Sequence, residues 1–337
     1  MKLLIITQKV DQNDPILGFF HNWLIELASN LPELKVICLQ KGLVSLPANV
    51  EIKSLGKENC NKRIIRFINF FRLIWQWRNG YSHVFVHMNV KYIILAGWWW
   101  KLMGKKISLW HTHKSVGWQL IMAEKFCDKI FTASEKSFRL SSKKVKIVGH
   151  GIDTDLFKPI NQKKEYGLML CVGRISQIKN QLNLVKIFHR LLKNVPEAHL
   201  VIIGQPILKS DNDYLQEIKN YIKQNKLENN INYFGPEKND KLPLWYNRAS
   251  LTVNLSETGS LDKDVLEAAA CGCPIITMNE AFNNLLPNEC LATNLDQIED
   301  KIKNYLISGN SINLRNWVVK NHNLKNLIKI LLTEMSK

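Results

Sequence analysis

Short apolar runs alternate with segments of helical period along the whole chain, the βαβ signature of parallel sheets. In the first half, strands are predicted from Leu3 to Thr7, Val36 to Leu39, His83 to His87, Ile107 to Trp110, Lys129 to Thr132 and Val145 to Val148. Helices are predicted from Phe19 to Ser29, Lys62 to Arg78 and Val116 to Phe126. A polar stretch from Lys158 to Gly167 reads as a linker, after which the alternation restarts. The second set of strands runs from Leu168 to Gly173, His199 to Gly204, Ile231 to Phe234, Leu251 to Leu255 and Pro274 to Thr277. Its helices run from about Lys179 to Asn194, Tyr214 to Asn225 and Asp262 to Cys271, and the pattern after Leu295 is helical. Two doubly wound α/β domains are expected, with ligands beyond the carboxyl ends of their strands.

Composition narrows this. A chain of 337 residues suits two domains, and 46% hydrophobic with 22% charged residues is a folded composition. Seven cysteines, odd in number and scattered, imply a reducing compartment and no disulfide framework. Met1 to Lys9 reads as a buried first strand, not a secretion signal. The longest apolar run, Tyr92 to Trp100, is about half of a membrane span. A cytoplasmic location is therefore expected, with peripheral attachment to the inner face of the plasma membrane as an option.

The net charge of +17 points to nucleic acid, an anionic membrane or a polyanionic substrate as partner, or to a genome rich in lysine codons. No helix-turn-helix, zinc-finger or RNP-type stretch occurs, so nucleic acid is not expected. No G-x-G-x-x-G or Walker loop follows a strand, which removes the usual dehydrogenase and P-loop readings. From Lys62 to Arg78, Arg66, Asn69, Arg72 and Gln76 line one helical face, and Ile64, Phe67, Ile68, Phe71 and Ile74 or Trp75 another. With Trp98 to Lys106, this segment would suit an anionic membrane surface. The alternative is that these apolar faces are core.

Two turns carry chemistry. Val172-Gly173-Arg174 ends a strand, and Lys179 follows Arg174 by five residues before a helix. Breaking a sugar–diphosphate bond leaves negative charge that fixed cations can stabilise. The second stretch runs from Asn254 through Thr258-Gly259-Ser260-Leu261-Asp262 into an alanine-rich helix. Its backbone N–H groups and helix start would face an anion, and Glu267 could accept from a ribose diol. Either turn alone is equally a generic crossover with solvated caps.

Together these stretches resemble glycosyltransferase family 4. Gly173-Arg174 with Lys179 matches the family's G-R-x4-K, and Leu266-Glu267-Ala268-Ala269-Ala270-Cys271-Gly272-Cys273-Pro274 its L-E-A-x-A-x-G-x-P. Phe234-Gly235 ahead of Leu244 to Ala249, Gly149 to Asp153 with Phe157-Lys158-Pro159, Thr112-His113, and Gly18 before the first helix fall at the family's intervals.

The resemblance implies the GT-B architecture. An acceptor-binding domain would span residues 1–158 and a nucleotide-sugar-binding domain 159–310, and a helical segment 311–337 would pack back on the first domain. It implies a retaining, metal-independent hexosyltransferase moving a sugar from a UDP- or GDP-linked donor to a glycan or lipid-linked acceptor, in cell-surface polysaccharide or glycoconjugate synthesis. Arg174 and Lys179 would hold the diphosphate, Gly173, Gly259, Ser260 and Leu261 the donor backbone site, and Glu267 the ribose. His113 would lie near the reacting sugar. Asp11, Asp14, Gly18 and His21 are acceptor-side candidates. No cofactor is implied.

One departure stands out. The family's first motif glutamate falls on Gly259, in a Thr-Gly-Ser-x-Asp-Lys variant where Asp262 could cap the helix. A catalytically impaired homologue, or a protein binding nucleic acid or an anionic surface, is the alternative. The triplets Asp153-Thr154-Asp155, Asp211-Asn212-Asp213 and Asp262-Lys263-Asp264 are poor metal sites, and no metal is expected.

Overall fold

The computed structural model describes residues 1–59, 62–309 and 312–337. The chain forms two compact units, one of residues 1–151 with 324–337, the other of residues 152–323.

The first unit is built on strands β1 (Leu3–Val10), β2 (Leu34–Lys41), β3 (Val50–Ser54), β4 (His83–His87), β5 (Lys106–Trp110), β6 (Lys129–Thr132) and β7 (Val145–Ile147). Helices α1 (Phe19–Ser29), α2 (Arg63–Gln76), α3 (Lys91–Leu102) and α4 (Trp118–Phe126) connect them. Every strand pairing is parallel, in the order β3-β2-β1-β4-β5-β6-β7. The strand order reverses between β1 and β4. Such strands are covered on both faces and read as continuous apolar runs. In β1, Leu3 and Ile5 enter one core cluster and Leu4 and Ile6 the opposite one.

The second unit contains β8 (Glu165–Val172), α5 (Gln181–Leu191), β9 (His199–Ile203), α6 (Lys209–Gln224), β10 (Ile231–Gly235), α7 (Leu242–Arg248), β11 (Ala249–Asn254), α8 (Lys263–Ala270), β12 (Ile275–Thr277), α9 (Leu295–Ser308) and α10 (Arg315–His322). Its sheet is parallel, in the order β10-β9-β8-β11-β12. The reversal here falls between β8 and β11. The chain closes with α11 (Leu324–Ser336), whose Leu324, Leu327, Ile328, Leu331 and Met335 are buried against α1 in the first unit.

The units divide at Gly151, seven residues ahead of the expected boundary at 158. The cause is local. Ile152 donates its N–H to the His322 carbonyl at 2.7 Å, and Arg315 donates to the Thr154 and Phe157 carbonyls at 3.3 and 3.0 Å. Residues 152–158 are thus tied to the second unit. The expected boundary between 310 and 311 lies outside the described residues. The last part of the expected linker is strand, since β8 begins at Glu165.

No helix among the described residues is long and apolar enough to cross a membrane. The six cysteines among them are free and buried.

Candidate functional site

In an open parallel sheet, ligands bind beyond the carboxyl ends of the strands where the order reverses. In the second unit that point lies between β8 and β11, and the turns leaving these strands are the two singled out in the sequence.

The first turn begins with a close backbone crossing. Gly173 donates to the Ile203 carbonyl at 2.9 Å with φ +139, and Gly204 sits opposite at φ +150. A Cβ on Gly204 would lie 1.8 Å from the Gly173 carbonyl oxygen, so only glycine lets the ends of β8 and β9 meet. Beyond it, buried Gln181 spans the turn, donating from Nε2 to the Arg174 carbonyl at 2.9 Å and accepting from the Ser176 N–H at 3.4 Å. The guanidinium of Arg174 is left on an exposed residue, while Lys179 turns inward.

The second turn docks onto the first through the Glu257 N–H, which donates to the Ile178 carbonyl at 3.0 Å. Their main link is ionic, with Lys179 Nζ 2.7 Å from Asp262 Oδ1. Asp262 is the residue before α8, but its carboxylate makes no capping bond. Its other oxygen accepts from Asn254 Nδ2 at 3.1 Å and Asn279 Nδ2 at 3.0 Å. Asn254 also donates to Asp264 at 2.8 Å, and Asn279 to the Ser260 carbonyl at 2.7 Å. The expected helix cap is thus a counter-ion, because a cation and two buried amides outcompete the helix N–H groups for it.

The electrostatics follow from burial. Desolvation alone would lower the Lys179 ammonium, but the Asp262 and Asp264 carboxylates outweigh it and raise the pKa above the usual lysine value. Desolvation would raise Asp262, yet Lys179 holds it below the usual carboxylate range. Asp264 is pushed up to about 6 by burial, with the Asp262 charge adding to that against the pull of Lys179. Burial lowers Lys263, partly offset by Glu267, whose Oε1 lies 3.1 Å from its Nζ. Asn239 reaches the same Glu267 oxygen at 3.4 Å.

Gly259 has φ +64, a left-handed conformation that a glutamate would adopt only under strain. The loop is fastened instead by Thr258 Oγ1, which donates toward Asp262 Oδ1 at 3.3 Å and accepts from the Ser260 N–H at 3.4 Å. Leu261 is buried beneath it.

In the other two aspartate triplets, the first residue of each accepts backbone N–H groups. Asp153 Oδ1 accepts from the backbone N–H groups of Asp155 and Leu156, and Asp211 Oδ2 from those of Ile207 and Leu208 at the start of α6.

In the first unit, Asp14 ion-pairs with Lys9 at 2.6 Å and accepts from the Ile16 and Leu17 N–H groups, and Asp11 lies 3.2 Å from Lys9. A Cβ on Gly18 would meet the Asp14 carbonyl oxygen at 2.4 Å. Buried His21 accepts the Ser45 N–H on Nε2 at 3.1 Å, and desolvation lowers its pKa. These four shape the loops after β1 and β2. His113 is exposed after β5, accepting the Ser115 N–H, and the neighbouring His111 is pushed down to about 4 by burial and then by His113.

Sequence reasoning missed Gly204, Gln181 and Asn279, and passed over Asn254. None has a spacing signal, because each acts through a contact made only in the fold.

Residues 153–285 match the family model described as "Glycosyl transferases group 1". The poly(glycerol-phosphate) alpha-glucosyltransferase of Bacillus subtilis is 31% identical over 129 residues, 38% of this chain and 18% of that protein. An uncharacterized glycosyltransferase of Haemophilus influenzae is 28% identical over 198 residues, 58% of this chain and 52% of the other. The chain thus spans about half or less of the length of these curated relatives. Among solved structures, HepE of Anabaena in complex with UDP matches with a TM-score of 0.78 at 14% identity, covering 100% of both chains. Sucrose-phosphate synthase from Thermosynechococcus elongatus matches with a TM-score of 0.77 at 14% identity, covering 99% of this chain and 98% of that one. The fold, two parallel-sheet α/β domains, is that of these GT-B neighbours.

Proposed function

We propose that the chain is a retaining, metal-independent hexosyltransferase that moves a sugar from a UDP- or GDP-linked donor to a glycan or lipid-linked acceptor, in cell-surface polysaccharide or glycoconjugate synthesis. The observation that supports it best is the meeting of the β8 and β11 turns at the reversal point of the second sheet, joined by Lys179 and Asp262.

In this reading the donor diphosphate lies against the β8 turn. The guanidinium of Arg174 grips two phosphate oxygens, and Lys179 adds a point charge. An ammonium has three donors. One is committed to Asp262, which leaves two for phosphate and fixes where they point. Charge released as the glycosyl–phosphate bond breaks is taken up by these two cations. The backbone from Gly259 to Leu261 meets the sugar and the second phosphate, and Glu267, aimed by Lys263, accepts from the ribose hydroxyls. His113 serves the reacting sugar, and the loops carrying Asp11, Asp14, Gly18 and His21 serve the acceptor. UDP is the first nucleotide to test, since HepE and the Staphylococcus aureus TarM G117R mutant were solved with it.

Thermal-shift screening with UDP- and GDP-sugars tests the binding step, because a ligand of the native state raises its melting temperature. A rise with one nucleotide series, followed by donor turnover that EDTA leaves unchanged, is the expected result. Strict dependence on Mg²⁺ or Mn²⁺ would remove the metal-independent mechanism. A second reading, a catalytically impaired homologue, is favoured by Gly259 in place of the first motif glutamate. It predicts nucleotide binding without turnover.

A further inference from the structure

Helix α2 has two apolar faces where a helix packed on one sheet needs one. Phe70, Leu73 and Ile74 face the core of the first unit, joined by Trp77 just beyond the helix. Arg66 and Asn69, which share a polar face with Arg72 and Gln76, flank this buried side, and Asn69 Nδ2 donates to the Leu55 carbonyl at 3.1 Å. The second face points to solvent, with Ile64 62%, Phe67 45%, Ile68 57% and Trp75 58% exposed.

Helix α3 extends this surface. Its Trp99 ring lies 6.2 Å from that of Trp75, and Trp98 is 52% and Leu102 79% exposed. The patch has cations around it. Arg63 and Arg72 are exposed, Arg78 stacks 4.5 Å from the Trp75 ring centroid, and Lys101 is exposed but pairs with Asp128 at 2.5 Å. From Asn59 to Ala123 the sequence carries ten lysines and arginines and no acidic residue.

We infer that the outer face of α2 and α3 docks on an anionic lipid bilayer. The aliphatic and aromatic side chains enter the headgroup boundary, with tryptophan at the depth it prefers, while the arginines and lysines meet lipid phosphates. An apolar partner protein would use the hydrophobic face but not the one-sided charge, and a soluble polyanion would use the charge but not the exposed rings. Only the anionic bilayer matches both.

Flotation of the purified full chain with vesicles tests this without any sugar donor, so its failure is separate from that of the catalytic reading. The chain should float with phosphatidylglycerol–phosphatidylcholine vesicles and stay behind with phosphatidylcholine alone. Phe67→Ser/Ile68→Ser/Trp98→Ser should keep its circular dichroism spectrum and lose about tenfold in partitioning, as should Arg63→Glu/Arg72→Glu. Leu244→Ser, an exposed apolar site on the second unit, should float like the unaltered chain. Three results would each overturn the inference: no flotation with anionic vesicles, equal flotation with neutral ones, or a triple variant that floats unchanged. So would a dimer that the triple variant converts to monomer without any vesicle binding, which would assign the face to a second copy.

Discussion

Lys179 and Arg174 are equal in a motif and unequal in the fold. Arg174 is on the surface of its turn, so Arg174→Ala should lower donor turnover by about 100- to 1,000-fold with no change in melting temperature. Lys179→Ala should lose as much turnover and also destabilise, because it strands the buried Asp262 carboxylate, at a cost of about 3 kcal/mol in urea unfolding. Equal stability of the two variants would contradict the ion pair. Asp264 gives a pH signature. It holds its proton more tightly folded than unfolded, so the stability it contributes is complete below the ordinary value of 3.8 and is lost as pH rises to about 6. Asp262, shifted down, acts in the opposite direction. The informative quantity is therefore the difference from Asp264→Asn. Over that window the melting temperature of the unaltered chain should fall relative to the variant, and parallel curves would refute the shift.

At the level of elements, the crossing of Gly173 and Gly204 sets where the β8 turn can go. Gly204→Ala should cost on the order of 2–3 kcal/mol and reduce donor binding, since its methyl would overlap the Gly173 carbonyl oxygen. Full binding in that variant would mean the crossing is not needed. Much of this architecture was legible in the sequence. His83–His87, Lys129–Thr132 and Phe19–Ser29 have the predicted ends, because buried parallel strands and an amphipathic helix leave clear patterns. Strand β3 was invisible. Its five residues, Val-Glu-Ile-Lys-Ser, sit on a sheet edge where one partner strand and partial burial impose little pattern. Helix α3 read only as an apolar run, since Tyr92, Ile93, Ala96, Gly97 and Trp100 are buried while Trp98 and Leu102 are not. In α2 the helical period was legible and the core-facing side was left open, because two apolar faces give no clue to which one meets the sheet. Where the two turns meet, Arg174, Lys179 and Glu267 carried a motif in the sequence, but Asn254 and Asn279 did not, as a buried asparagine is specified by its partners.

For the molecule as a whole, the chain returns at its end to the unit where it began, and α11 completes one face of the first core. Ile328 is fully buried there, and Ile328→Ala should destabilise the first unit by about 3 kcal/mol in denaturant unfolding. An effect below about 1 kcal/mol would mean α11 is only loosely attached. The +17 charge is concentrated in part in the acid-free stretch of the first unit, while the second unit's site balances its own buried lysines with carboxylates. The two features lie in different units and are therefore separable by mutation. A crystal of the full chain soaked with UDP or GDP should show pyrophosphate oxygens within about 3 Å of both Arg174 and Lys179, beside the turn after β8. A nucleotide seated elsewhere, with both cations untouched, would contradict the account.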